Sequence, residues 1–213
     1  MSTTSAPGKR WCMIWPRQPA CRWRLVAPSV SAVPTTPFSP GASTARPPVS
    51  GQRQHFASAM TLLGYQDGTD HQDGASYLEL AGLLVQQGAH VAHDLTELWR
   101  RIVFNICVSN TDDHLRNHGF LLTPQGWRLS PAFDLNPIRY GQGLKLNISE
   151  TDNALDLDLD REVAPYFRLS AAQAEAMLRQ VVAAVQHWPD VASRYQVSRA
   201  QQELMASAFE AAH

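Results

Sequence analysis

Cysteine is scarce in this chain of 213 residues: only Cys12, Cys21 and Cys107 occur. An odd, low count argues against a disulfide framework and for a reducing compartment, which points to the cytoplasm. Cys12 and Cys21 have neither C-x-x-C spacing nor a nearby histidine pair, so a structural zinc site is not expected. No run approaches the roughly 18 apolar residues of a membrane-spanning helix, and no membrane association is expected. Lysine is rarer still, with Lys9 and Lys145 as the only two. Acidic residues are missing altogether from residues 1–50, although the net charge of the whole chain is −1.

That last absence divides the chain. Residues 1–50 carry six basic residues, nine of the 14 prolines and three of the six tryptophans. The remaining 12 basic residues face all 19 acidic ones, leaving −7 on the rest. Prolines at 7, 16, 19, 28, 34, 37, 40, 47 and 48 interrupt every helical or strand window of the first part. The apolar stretch from Trp11 to Trp15 is shorter than the ~7–15 residues of a signal-peptide core. An acid-free, Arg- and Ser-rich composition suits a transit peptide, but the prolines prevent its amphipathic helix. A basic arm containing tryptophan is a weak sign of nucleic-acid contact, and direct nucleic-acid binding is not expected. Residues 1–50 are therefore read as a disordered Pro/Arg-rich extension, and residues 51–213 as the folded domain.

In the folded part, Phe56, Ala59, Met60 and Leu63 repeat at helical spacing and Gly64 stops the run. Asp67, Asp70 and Asp73 stand three apart rather than two, so a calcium loop is rejected in favour of a solvated turn. Ser76–Glu79 is a capping box opening a helix that Gly88 ends. Asp94 is expected to cap the apolar helix running through Leu95, Leu98, Trp99, Ile102, Val103, Ile106 and Cys107. Cys107 falls on its apolar face and reads as core. Gly119–Leu122 and Trp127–Ser130 read as a hairpin, and Gly143–Ser149 as a further strand. Residues 154–160 alternate Leu and Asp, which locally favours a strand. Ser170–Gln173 and Ser198–Gln201 are capping boxes that open the closing helices. The expected fold is mainly α with a small β-hairpin.

The chemistry lies in Ser109-Asn-Thr-Asp-Asp-His-Leu-Arg-Asn117 and, after the hairpin, Ser130-Pro-Ala-Phe-Asp134. Phosphoryl transfer needs one carboxylate near the attacking hydroxyl, with an amide oxygen and a second carboxylate holding metal on the phosphates. Asp112 and Asn117 are five apart, the separation of Asp and Asn in the kinase catalytic loop. The hairpin then returns the chain so that Asp134 can face the same point. Any one of these residues alone would read as a cap or an Asx turn. Asp113, at the wrong spacing, is assigned a solvated or helix-capping role, and His114 a packing role beneath the loop or a contact to phosphate. His114 and His118, four apart, lack the glutamate and third ligand of a zinc motif. His90 and His93 read as surface or capping residues.

On these residues the chain resembles the HipA family, serine/threonine-kinase-like toxins of bacterial toxin–antitoxin pairs. The resemblance runs from about Arg53 to about Ala208 and is sharpest over Asn110–Leu122 and Arg128–Asn136. It implies a kinase-like C-terminal lobe in which Asp112 is the catalytic residue. His114, Leu115, Arg116, Asn117, Phe133 and Asp134 would bind the nucleotide, with Asn117 and Asp134 at the magnesium positions. ATP and Mg2+ are the implied cofactors, and a HipB-type DNA-binding antitoxin, of the helix-turn-helix type, the implied partner. The family context also puts residues 154–160 on a helix, against the local pattern, and helix is the preferred reading.

The chain departs from the family pattern at its amino-terminal side. A HipA-like kinase has an amino-terminal lobe with a glycine-containing phosphate loop and a lysine pairing with the nucleotide phosphates. No glycine-rich loop precedes residue 50, where Gly8 and Gly41 stand alone. The expectation is therefore a lobe whose amino-terminal half is missing, with turnover much reduced because half a clamp leaves positioning incomplete. Two other readings stay open: a non-catalytic module that binds an antitoxin, and a half-enzyme completed in trans by a separate N-lobe.

Overall fold

In the computed structural model of the protein, residues 54–213 are described. Before them only the backbone of two three-residue strands is described, β1 (Cys12–Ile14) and β2 (Arg24–Val26), paired antiparallel with Cys12 opposite Val26. The expectation that residues 1–50 form a disordered extension lies otherwise outside the described residues.

The centre of the domain is helix α3 (Val91–Cys107). Its apolar stripe is buried along its length, with Leu95, Leu98, Trp99, Ile102, Val103, Phe104, Ile106 and Cys107 in the core. Each such side chain contributes roughly 1.5–3 kcal/mol of transfer free energy. Around it pack α2 (Tyr77–Gln87) on one side, and α4 (Leu157–Val163) and α5 (Ala171–Gln186) on the other. Two short helices, α6 (Trp188–Arg194) and α7 (Arg199–Met205), close the chain, and Trp188 stacks on Phe209 at 4.2 Å. The capping boxes at Ser76, Ser170 and Ser198 all form as their spacing predicts. No helix among the described residues is long and apolar enough to cross a membrane.

The sheet has one strand more than the sequence pattern suggests. Strand β3 (Phe56–Ser58) pairs antiparallel with β4 (Gly119–Thr123), which pairs with β5 (Gly126–Leu129). The helical spacing beginning at Phe56 is real only from Ala59, where Ser58 caps α1 (Ala59–Leu63), and Gly64 ends it at φ +77°. Phe56–Ser58 instead satisfy the outer edge of β4. Gly119 makes that close pairing possible: a Cβ there would fall 2.4 Å from the Phe56 ring.

Three further expectations are corrected. Asp94 is not the N-cap of α3; that position is His90, and Asp94 lies buried in the first turn. Its carboxylate reaches across to the sheet, accepting the Leu129 N–H (3.0 Å) and pairing with Arg128 (3.4 Å). At residues 154–160 the strand suggested by the local alternation does not form, and the helix implied by the family resemblance does. Asp156 accepts the Asp158 N–H at 2.8 Å and opens α4, with Asp158 and Asp160 in its first turn, where acidic side chains favour a helix. Gly143–Ser149 forms no strand either. It lies beside residues 71–77 and shares a single parallel bridge, Ser76 to Asn147.

Candidate functional site

Where α3 ends, Ser109 takes a left-handed conformation (φ +49°) and turns the chain back. The loop that follows is held from below. Asn110 donates its backbone N–H to the Asn105 carbonyl (2.8 Å) and its side-chain amide to Asn105 Oδ1 (3.0 Å). A single 3-10 turn, Leu115–Asn117, completes it. The Asn117 side-chain amide donates to the Asp112 carbonyl at 3.2 Å, so the two ends of the loop are tied together. With its nitrogen so engaged, Asn117 keeps its amide oxygen as an acceptor.

Adjacent aspartates on this loop do opposite things. Asp112 is exposed, whereas Asp113, expected to be solvated or capping, is buried to 1% exposure. Asp113 Oδ2 accepts three hydrogen bonds: from the Tyr77 hydroxyl (2.6 Å), the Asn105 amide (2.7 Å) and His118 Nε2 (2.8 Å). Burial alone would raise this carboxyl. The His118 ring, the Tyr77 hydroxyl and the Arg101 guanidinium more than offset that, so its pKa lies below the usual carboxylate value. The same burial, with the Asp113 charge beside it, pushes the Tyr77 phenol well above its ordinary value. His118 is thus a support of the loop and not a metal partner of His114. Cys107 is core as expected, with burial pushing its thiol up to about 12.

The second arm is anchored as firmly. Ser130 donates its N–H to the Gly119 carbonyl (2.8 Å), and buried Arg101 donates from α3 to the Ser130 carbonyl. Ala132 and Leu135 are buried on either side of Phe133-Asp134. Asp134 itself is held at φ +56°, a strained conformation that Asp tolerates better than most residues. One of its oxygens, Oδ1, accepts from the Asn136 amide at 2.7 Å. The other accepts no hydrogen bond from the described residues.

These arms border a cavity of about 390 Å³. Asp112, His114, Leu115, Arg116 and Asp134 line it, facing Met60, Gln66, Asp67, Gly68, Thr69 and Lys145. Of the other two residues singled out in the sequence, Asn117 is buried behind this wall and Phe133 is half-buried, neither lining the cavity. Arg116 is tied to Asp67 across the cavity, and that hydrogen bond holds the Asp67 carboxyl below its usual range. The sequence pattern gives no warning of Asp67 at the cavity or of the Asp113 support. Tyr77 and Asp113 are 36 residues apart, and only tertiary folding joins them.

Among the described residues no three His, Cys, Asp or Glu side chains stand close enough to hold a metal. The donors near the cavity are hard oxygens: Asp112, Asp134 and the Asn117 amide. Such a set suits a cation that takes one or two protein carboxylates and completes its shell with phosphate and water.

A mainly helical domain that presents a loop, a hairpin and a strained aspartate around one polar cavity has a known family. The HipA-like C-terminal domain model matches residues 42–188, and the chain belongs to that family. Its fold is similar to that of a solved chain from the Shewanella oneidensis MR-1 toxin–antitoxin system, a complex of HipA, HipB and operator DNA. The TM-score is 0.62 at 15% identity, over 80% of this chain and 46% of that one. The chain therefore spans about half the length of the structure it matches. No curated protein matches it.

Proposed function

We propose that the chain forms the catalytic-loop half of a HipA-like serine/threonine protein kinase, binding ATP with Mg2+ in the cavity between residues 109–117 and Asp134. The observation that carries this reading is the common cavity bordered by Asp112, His114, Leu115, Arg116 and Asp134. In it Asp112, exposed and free of side-chain hydrogen bonds among the described residues, accepts the proton of the attacking hydroxyl. Asp134 and the Asn117 amide oxygen hold the magnesium, and His114, Leu115, Arg116 and Phe133 contact the nucleotide. Bound magnesium supplies charge neutralisation at the phosphates. Turnover requires a second wall carrying further phosphate contacts, so efficient phosphoryl transfer calls for an amino-terminal lobe alongside this one. A HipB-type antitoxin in the cytoplasm is the partner this reading favours, supported by the shared fold with a HipA solved together with HipB.

The test is calorimetric titration of the full chain with ATP, with and without Mg2+. Magnesium-dependent binding is expected, weakened at least tenfold by Asp134→Asn. Asparagine is chosen because it accepts φ near +56° as readily as aspartate, which isolates the lost charge from backbone strain. Asp112→Asn should leave nucleotide binding in place and abolish transfer once an amino-terminal lobe is supplied. Binding that ignores magnesium, or that survives Asp134→Asn unchanged, removes the kinase reading.

A further inference from the structure

The chain has one lysine beyond residue 9, and it lies in the cavity. Leu144, Leu146, Asn147 and Ile148 are all buried, whereas Lys145, between the first two, is only half-buried. Lys145 lines the cavity that Asp112 and Asp134 border. Its backbone is clamped. His71 N–H donates to the Lys145 carbonyl (2.7 Å), Leu144 N–H donates to the Asn153 carbonyl (2.8 Å), and the Asn147 side-chain amide donates to the His71 carbonyl (2.9 Å).

The head group, by contrast, is barely engaged. Its nearest acid is Asp70, with Nζ 3.8 Å from Oδ2, too far for a hydrogen bond. Asp70 is already committed as the cap of the 3-10 turn 71–73, where its Oδ1 accepts the Gln72 N–H at 2.9 Å. Arg116, the other cation on the cavity wall, is tied to Asp67. Lys145 therefore presents three donors, on a flexible stem, to a cavity whose proposed ligand is a chain of phosphates.

We infer that Lys145 is a phosphate-binding residue of this cavity, reading the phosphate chain of the nucleotide from within this domain. The inference rests on the magnesium–nucleotide reading above. Asp70 is its resting partner and competes with the ligand for the ammonium.

The experiment measures the affinity of the full chain for Mg-ATP in Lys145→Met, Lys145→Arg, Asp70→Asn and Asp134→Asn. Lys145→Met should weaken binding about tenfold or more, the loss expected for one charge-assisted hydrogen bond. Lys145→Arg should keep most of the affinity because the charge remains. Asp70→Asn should tighten it, since asparagine caps as well as aspartate but no longer competes for the lysine. Opposite signs for Lys145→Met and Asp70→Asn are not produced by a purely structural role, and thermal melting of each variant checks folding. If Lys145→Met and Asp70→Asn both match the parent while Asp134→Asn still weakens binding, the lysine inference falls and the nucleotide reading stands. If the parent chain binds no Mg-ATP, both fall. Should Lys145→Met fail to fold, the signs for Lys145→Arg and Asp70→Asn decide.

Discussion

Replacing each of two neighbouring aspartates by alanine separates the support of the loop from its chemistry. Asp113→Ala removes the acceptor of three buried donors, from Tyr77, Asn105 and His118, at 2.6–2.8 Å. Each donor left without a partner costs about 1–3 kcal/mol, and breaking a buried charged pair costs about 3–5 kcal/mol. Allowing for relaxation, the loss should be about 4 kcal/mol, a large part of the ~5–15 kcal/mol that holds a domain together. Asp112→Ala removes an exposed side chain with no hydrogen bond among the described residues, and should stay within about 0.5 kcal/mol of the parent. Urea denaturation followed by tryptophan fluorescence reads both, since Trp99 is buried in the core. The pH dependence has a definite sign. The Asp113 carboxyl titrates lower in the folded chain than in the unfolded one. Its stabilisation is therefore complete above the unfolded value of about 4 and disappears as pH falls through the lower folded value. The gap between parent and Asp113→Ala should be constant from pH 7 to pH 5 and narrow only in stronger acid. An Asp113→Ala chain as stable as Asp112→Ala would refute this account of the loop.

Asp160 is fully buried, and neither carboxylate oxygen has a hydrogen-bond partner among the described residues; burial raises its pKa well above the usual value, only partly countered by Arg161. Folding then takes up a proton, so parent stability should fall as pH rises above about 4, by up to about 1.4 kcal/mol per pH unit. Asp160→Asn should flatten that slope and raise stability at pH 7 in urea titrations, and parallel curves for the two chains would rule the explanation out. Asp94→Ala leaves the buried Leu129 N–H without its acceptor and frees Arg128. It should cost about 2 kcal/mol in the same assay, and a loss below 0.5 kcal/mol would show that water replaces the carboxylate.

What could be read in advance was local. A capping box joins residues three apart, so Ser76, Ser170 and Ser198 declare their helices in four letters each. The Gly119 hairpin and the Asp112–Asn117 spacing are local in the same sense, and the hairpin is what lets the sequence pair Asp112 with Asp134. What stayed hidden was tertiary. Asp94 has the composition of an N-cap, but its acceptor capacity serves β5, 35 residues away in sequence. Asp113 looks like a surface loop residue until Tyr77 and Asn105 close over it. The Leu–Asp alternation at 154–160 fits a strand by period, yet aspartate is a poor strand former and a good first-turn residue, and the cap at Asp156 decides the outcome. Lys145 could have been noticed as the one lysine of the folded part set between core leucines, but its place in the cavity depends on residues 71–77 lying alongside.

Stability and chemistry are thus assigned to different residues of a single loop. Asn110, Asp113, Asn117 and His118 are buried, and each is hydrogen-bonded to α3, to Tyr77 or within the loop itself. Asp112, His114, Leu115 and Arg116 border the cavity. A buried polar network of this kind gives little net stability over an apolar core, but it tolerates few alternative arrangements, because each misplaced donor stays unpaired. The loop is therefore held in one shape without spending Asp112 on holding it. The strained φ of Asp134 is sustained in the same way, by buried Ala132 and Leu135 on either side and Arg101 beneath Ser130. A carboxylate that must meet a hydroxyl proton and a carboxylate that must meet a cation are each left with an oxygen that accepts no hydrogen bond from the described residues, on a frame that other residues make rigid.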